Sequence, residues 1–147
     1  MNPALRIVQV GFATTVQDQG RSGLAHLGVP VAGAVDRRTH DLMNRLVGNP
    51  SDLATIETLG ALIVEALATG DRFRIDAPAD SVWAYLSVRG GIEVDPVLGS
   101  RSTDTLGHVG PAPLRTEDVL DVGADPRTEL VADHAPDRRH NDVTVRI

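Results

Sequence analysis

Only one stretch of this 147-residue chain carries the apolar spacing of a helix, and nearly every other apolar run is short and closed by glycine or proline. Asp36 is placed to cap that helix, and Leu42, Met43, Leu46 and Val47 recur at helical spacing. Arg37, Arg38, His40, Asp41 and Arg45 make the expected wet face, Gly48 the stop, and Pro50 prevents continuation. The spacing predicts a helix over 37–47. Strands are predicted at 5–10, 53–59, 62–66, 72–76, 82–88 and 119–122. Residues 72–76 alternate, which implies one buried face, whereas 82–88 is apolar on both faces and is expected at the centre of a sheet. Between Gly11 and Gly33 the chain is glycine-rich and polar and reads as a long loop with short extended pieces. Loops of that length are functional or disordered. The expected fold class is therefore mainly β, a barrel or sandwich with one packed helix. A doubly wound α/β fold would need alternating helices that the pattern lacks.

Composition narrows the chemistry. Aromatic residues are only 3%, so the core has to be built from Val, Leu, Ile and Ala. Cysteine is absent, which removes disulfides, thiolate metal sites and a thiol nucleophile. All 14 basic residues are arginine, which removes a Schiff-base or P-loop lysine. The net charge is −6, and the first 75 residues are neutral, so the second half carries the whole excess. An acidic chain with no basic stripe does not suit nucleic acid. No apolar run reaches the ~20 residues of a membrane span, and no signal peptide is read at the N-terminus. A cytoplasmic protein is expected. The acidic, proline-containing stretch 123–142 reads as a linker or tail, and 143–147 as one more strand.

Several constellations could carry chemistry. In Gln17-Asp18-Gln19-Gly20-Arg21, Asp18 could serve as acid or base and Arg21 could clamp an anion. The same spacing also fits an Asx-turn with a surface ion pair. The segment from Gly28 to Asp36 offers helix-start amides to an anion, unless Asp36 fills that cap itself. Asn44 and Asn49 flank the helix stop. Glu57 lies in a strand, where a buried carboxylate needs a partner, although it could equally face water. Arg89-Gly90-Gly91 and Gly99-Ser100-Arg101-Ser102 could make an anion nest or plain turns. The five histidines show no metal spacing and read as solvated or structural.

The order of these motifs is more specific than any one of them. The runs Gln17–Arg21, Gly28–Pro30, Gly33–Asp36 and Asn44–Asn49, then Glu57, Tyr85–Ile92 and Val97–Thr103, resemble the biotin-dependent carboxyltransferase family. That family includes the C subunit of 5-oxoprolinase (allophanate hydrolase subunit 2, the KipA type) and the carboxyltransferase region of urea carboxylase. The resemblance covers about residues 5–122. It implies a cyclophilin-like β-barrel for 1–122, with 143–147 as the first strand of a missing second half. It implies ATP-dependent opening of 5-oxoproline to glutamate, with a KipI-type sister subunit, for 5-oxoprolinase a third subunit, and no activity for this chain alone. Urea-carboxylase-type chemistry and a non-catalytic partner-binding module are the alternatives. Asp18, Arg21 and Glu57 are the implied catalytic residues. Gln17, Asp36, Asn44, Arg89, Gly90, Gly91, Arg101 and Ser102 are the implied substrate- or nucleotide-binding residues, with ATP as the cofactor of the complex and no metal site. The assignment expects Asp18, Arg89 and Arg101 to converge on one face. The chain departs from the family pattern between Ala66 and Asp80, where a longer insertion is usual, and in the segment Gly107–Pro113.

Overall fold

The computed structural model describes residues 3–79 and 81–130. Five strands form one antiparallel sheet: β1 (Ala4–Gln9), β4 (Leu62–Ala66), β5 (Arg72–Ile75), β7 (Ile92–Glu93) and β8 (Val119–Val122). Their order is β5-β4-β1-β8-β7, with β1 in the middle. A second antiparallel sheet has the order β2-β3-β6, from β2 (Ala13–Gln17), β3 (Thr55–Leu59) and β6 (Trp83–Leu86). Among the described residues the one α-helix, α1, spans Arg37–Leu46, and a 3-10 turn occupies Ala25–Leu27. The expected mainly β architecture with one helix is present, with the strands paired as two sheets and β5 returning beside β6.

Period-two alternation gives each sheet its buried face. Leu5, Ile7, Leu62, Val64, Leu120 and Val122 from the first sheet pack on Val16, Ile56 and Leu86 from the second. Val16, Ile56 and Leu86 are neighbours in register, so one row of side chains closes the core. No aromatic residue is among its fully buried members, as the composition demands. The other face of the three-stranded sheet is covered by α1. There Tyr85 packs on Ala34 and Met43, with Trp83 and Leu46 alongside.

In the stretch 11–33 the expected short extended piece is β2, which pairs with β3 along its whole length through a β-branched Thr-Thr-Val centre. Two expectations need correction. β6 is the edge of its sheet rather than the centre. Both its faces are apolar because Leu86 meets the core while Trp83 and Tyr85 meet the helix side. His40 is fully buried rather than on the wet face of α1.

The helix boundaries follow the expected caps. Asp36 Oδ1 accepts from the amides of Arg38 and Thr39, each at 3.1 Å. Gly48 follows the C-terminus at φ +71°. Residues 124–130 run without regular structure and fold back on this end of α1, where Thr128 Oγ1 donates to the Gly48 carbonyl. The predicted strand 143–147 and most of the predicted tail lie outside the described residues.

Candidate functional site

The helix-facing side of β2, β3 and β6 is polar. Cross-strand register sets Thr15 beside Glu57 and Gln17 beside Thr55, and Glu57 in turn beside Tyr85. Glu57 is 2% exposed. Its Oε2 accepts from Tyr85 Oη at 2.6 Å and from the Val35 amide at 2.8 Å. Tyr85 Oη accepts in turn from the Asp36 amide at 2.8 Å, which ties the start of α1 to the sheet. Burial raises the Glu57 carboxyl above the usual range, against the opposing hydrogen bonds from Tyr85 and Val35 and the nearby His40. Burial and then the Glu57 carboxylate push the Tyr85 hydroxyl well above its ordinary value. Asp36 is held below the usual range, first by the Thr39 hydroxyl and then, despite partial burial, by the capping amides.

A second cluster joins the end of β2 to the loop 100–104. Asp18 Oδ1 accepts from Ser102 Oγ at 2.6 Å, Ser100 Oγ at 2.7 Å and the Gly20 amide at 2.7 Å. Its Oδ2 accepts from the Arg101 amide at 2.6 Å. Burial raises the Asp18 carboxyl, but these four donors outweigh it and the group sits below its ordinary value. The Asx-turn is present, yet the Asp18–Arg21 surface ion pair is not. Arg21 is 2% exposed and donates to carbonyls instead, Nη2 to Ser102 at 2.5 Å and Nε to Val97 at 3.3 Å. Its Nη1 is buried without a partner, and no carboxylate pairs with Arg21 among the described residues. Gln17 Nε2 donates to Thr15 Oγ1 at 3.0 Å and to the Thr103 carbonyl at 3.1 Å, which leaves Oε1 buried and unpartnered.

The third cluster holds the far end of α1. Asn44 Oδ1 accepts from Ser87 Oγ at 2.7 Å and from Asn49 Nδ2 at 3.1 Å. Asn49 Oδ1 takes the Gly90 amide at 2.8 Å, and the Gly91 amide goes to the Val88 carbonyl at 2.9 Å. Arg89 donates to Asp125 Oδ1 at 2.8 Å, to the Val47 carbonyl at 3.1 Å and to the Thr128 carbonyl at 2.6 Å. Arg101 donates to Glu93 Oε1 at 2.7 Å and to the Val94 carbonyl at 2.8 Å. These contacts engage the Gly90 and Gly91 amides, the Arg89 guanidinium and two nitrogens of the Arg101 guanidinium within the chain.

The expected convergence is therefore partial. Asp18 meets the Arg101 backbone and Ser102, while Arg89 serves the other end of the helix. The reason lies in two glycine turns, one after β2 and the other after β6: Gly20 gives its amide to Asp18, whereas Gly90 gives its amide to Asn49 at the end of α1 and Gly91 to the Val88 carbonyl. His40, Thr55, Tyr85 and Asn49 are polar members of the layer that the candidate set omitted. The usable signal for His40 was its position three residues before Met43 and four before Asn44, on one helical stripe. Among the described residues no group of three or more His, Cys, Asp or Glu could hold a metal ion. No helix there is long and apolar enough to cross a membrane.

This fold and its polar layer define a carboxyltransferase-type domain. The family model "carboxyltransferase domain, subdomain A and B" matches residues 27–69 and 60–147, and the chain belongs to that family. It is 32% identical to the C subunit of 5-oxoprolinase from Escherichia coli K12, across 87% of this chain and 52% of that protein. It is 34% identical to urea amidolyase of Lachancea kluyveri, across 73% of this chain and 8% of that protein. A crystal structure of TTHA0988 superimposes with a TM-score of 0.73 at 31% identity, covering 84% of this chain and 31% of that one. The urea amidolyase of K. lactis superimposes with a TM-score of 0.71 at 29% identity, covering 83% and 10%. The chain thus spans about half the length of the E. coli protein.

Proposed function

We propose that this chain is a subunit or truncated domain of a 5-oxoprolinase-type amidohydrolase, which opens 5-oxoproline to glutamate at the expense of ATP in a complex with a KipI-type sister subunit and a third subunit. The observation that carries this reading is the alignment of 87% of the chain with the E. coli 5-oxoprolinase C subunit at 32% identity. In this reading Glu57 is the proton carrier, because burial raises its carboxyl above the usual range and Tyr85 and the Val35 amide hold it in place. Arg21 supplies the cation for the substrate carboxylate, being buried without a counter-charge among the described residues. Asp18 positions the Ser100–Ser102 loop. ATP is held elsewhere in the complex, since the glycine turns of this chain keep their amides for themselves. The chain alone is inactive, and its place of work is the cytoplasm.

The 34% identity to urea amidolyase supports a second reading, a carboxyltransferase acting on urea with carboxybiotin carried by another chain. The deciding experiment mixes the chain with its genomic neighbours of the sister-subunit type and supplies ATP with 5-oxoproline, or carboxybiotin protein with urea. Glutamate formed only by the full mixture is the expected result. Turnover of urea instead establishes the second reading. Stable capture of a sister subunit with neither turnover, beside an active full-length relative, establishes a non-catalytic partner-binding module.

A further inference from the structure

Asp18 and Glu57 are both buried, but their oxygens are filled differently. Asp18 accepts on both, with three donors at Oδ1 and the Arg101 amide at Oδ2. Glu57 accepts on one. Its Oε2 takes the Tyr85 hydroxyl at 2.6 Å and the Val35 amide at 2.8 Å. Its Oε1 takes nothing among the described residues, and unlike Gln17 Oε1 it is not sealed from solvent. A carboxylate oxygen presents two lone-pair sites, so Oε2 is full and Oε1 is empty. The Tyr85 hydroxyl has a fixed direction as well. Its oxygen accepts the Asp36 amide at 2.8 Å, which leaves its one hydrogen for Glu57. Burial and the Glu57 carboxylate keep that hydroxyl protonated at any ordinary pH. The Val35 amide is held on both sides, since the Ala34 amide donates to the Asp18 carbonyl at 3.0 Å and Tyr85 holds the Asp36 amide. A proton added at Oε2 would strand one of two fixed donors, whereas at Oε1 it strands none.

We propose that Glu57 gains and loses its proton at Oε1 alone, and that Tyr85 is a positioning residue that holds Oε2 and leaves Oε1 to meet the reacting group. This rests on the proposed function for the reaction it serves and adds the atom that works and the residue that aims it. As a base Oε1 takes one proton and the side chain becomes neutral. As an acid it returns that proton, and Oε2 keeps both donors throughout. The titratable groups facing Glu57 are Tyr85 from β6 and Asp36 and His40 from α1, and its neighbour on β2 is Thr15. His40 favours the carboxylate and Asp36 opposes it. The hydrogen bonds that orient the carboxyl group come from Tyr85 and Val35. The start of α1 therefore takes part in the aim. Val35 acts on Glu57 directly, and Asp36 acts through the hydroxyl of Tyr85.

The oxygen is tested on the full chain, without substitution or turnover. Carbon-13 NMR follows the Glu57 carboxyl through its titration, while proton NMR follows the Tyr85 hydroxyl and the Val35 amide. The expected result is that both hydrogens stay bonded on the acid side of the midpoint. The hydroxyl remains a downfield, slowly exchanging signal, and the amide keeps its protection after correction for the intrinsic effect of pH. Loss of either as Glu57 takes its proton puts that proton on Oε2 and overturns the proposal. Tyr85→Phe tests the positioning role. It removes a donor to the charged form, so the Glu57 midpoint should rise by about 1 unit. In the reconstituted complex the limb of the pH–rate profile set by Glu57 should move up with it, with kcat about tenfold lower and KM unchanged. A tyrosine that is merely structural would lower the melting temperature and leave both midpoints in place, which overturns the positioning role. Should the variant not fold, the titration of the parent chain still decides the oxygen. Failure here is separable from failure of the proposed function. Glutamate formed by a complex whose Tyr85 hydroxyl signal is lost on protonation discards the oxygen and keeps the activity. Persistent hydrogen bonds in a complex without turnover do the reverse.

Discussion

Replacing Asp18 by asparagine tests whether this carboxylate holds the end of β2 to the loop 100–104. The carboxylate binds four donors, three at Oδ1 and the Arg101 amide at Oδ2. In Asp18→Asn the better orientation keeps the three donors on the remaining carbonyl oxygen and turns an NH2 toward the Arg101 amide. One charge-assisted hydrogen bond is lost with its buried donor stranded, about 1.5–3 kcal/mol, and the other three weaken as the charge disappears. The sum is about 3 kcal/mol, a large share of the 5–15 kcal/mol typical of a domain. The melting temperature should fall by about 10 °C. The dependence on pH has a definite sign. The folded-state value lies below the ordinary 3.8, so the contribution is complete above the unfolded pKa and is lost as pH falls through the folded value. Urea unfolding followed by circular dichroism at pH 7, 5 and about 3 measures both effects. The gap between parent and variant should be constant from pH 7 to 5 and narrow below about 4. A gap under about 0.5 kcal/mol at pH 7, or one unchanged at about pH 3, refutes the assignment of Asp18 as an ionised brace.

The remaining predictions concern other clusters. Tyr85→Phe removes a donor to Glu57 and the acceptor of the Asp36 amide, and should cost about 1–3 kcal/mol in urea unfolding while moving the Glu57 titration further up by NMR. Gly90→Ala puts a Cβ 2.2 Å from the Gly123 carbonyl at φ +96° and should prevent stable folding. Gly99→Ala, at φ +80° with nothing within 4 Å, should cost only about 1 kcal/mol, and comparison of the two melting curves separates clash from backbone preference. Arg89→Ala frees residues 125–128 from the end of α1 and should speed amide hydrogen exchange at Arg127 and in the last turn of the helix without changing exchange in β1.

Local signals made most of the fold legible. Asp36 and Gly48 bounded the helix to within a residue because capping is a short-range event. β4 was readable because Gly60 and Gly70 bracket its apolar, β-branched run. β2 was not, since threonine carries strand propensity and polarity together and only pairing with β3 reveals which matters. The site was legible as residue types but not as contacts. Asp18 lies more than 80 residues from Ser100 and Ser102 in sequence, and their hydrogen bonds exist only once the two turns pack. His40 was placed in water because histidine is usually solvated, although its helical position beside Met43 and Asn44 pointed inward.

The two buried carboxylates of the layer have opposite electrostatics, and that difference divides their work under the proposed function. Asp18 has its oxygens filled by four donors and its pKa depressed, so it resists protonation at any ordinary pH. Glu57 is raised by burial despite its two donors, and the folded state therefore binds its proton more tightly than the unfolded chain does. Its ionisation works against folding: stability falls as pH rises from the unfolded value near 4.5 through the folded one. Glu57→Gln keeps an acceptor for Tyr85 and removes the buried charge, so at pH 7 it should be neutral or stabilising in urea unfolding. In the reconstituted complex the same substitution should abolish turnover if Glu57 carries the proton. A residue that is unfavourable for folding and indispensable for turnover is a functional group. If Glu57→Gln instead lowers stability by several kcal/mol and leaves turnover intact, the proton-carrier role is wrong and Glu57 is only the anchor for the start of the helix.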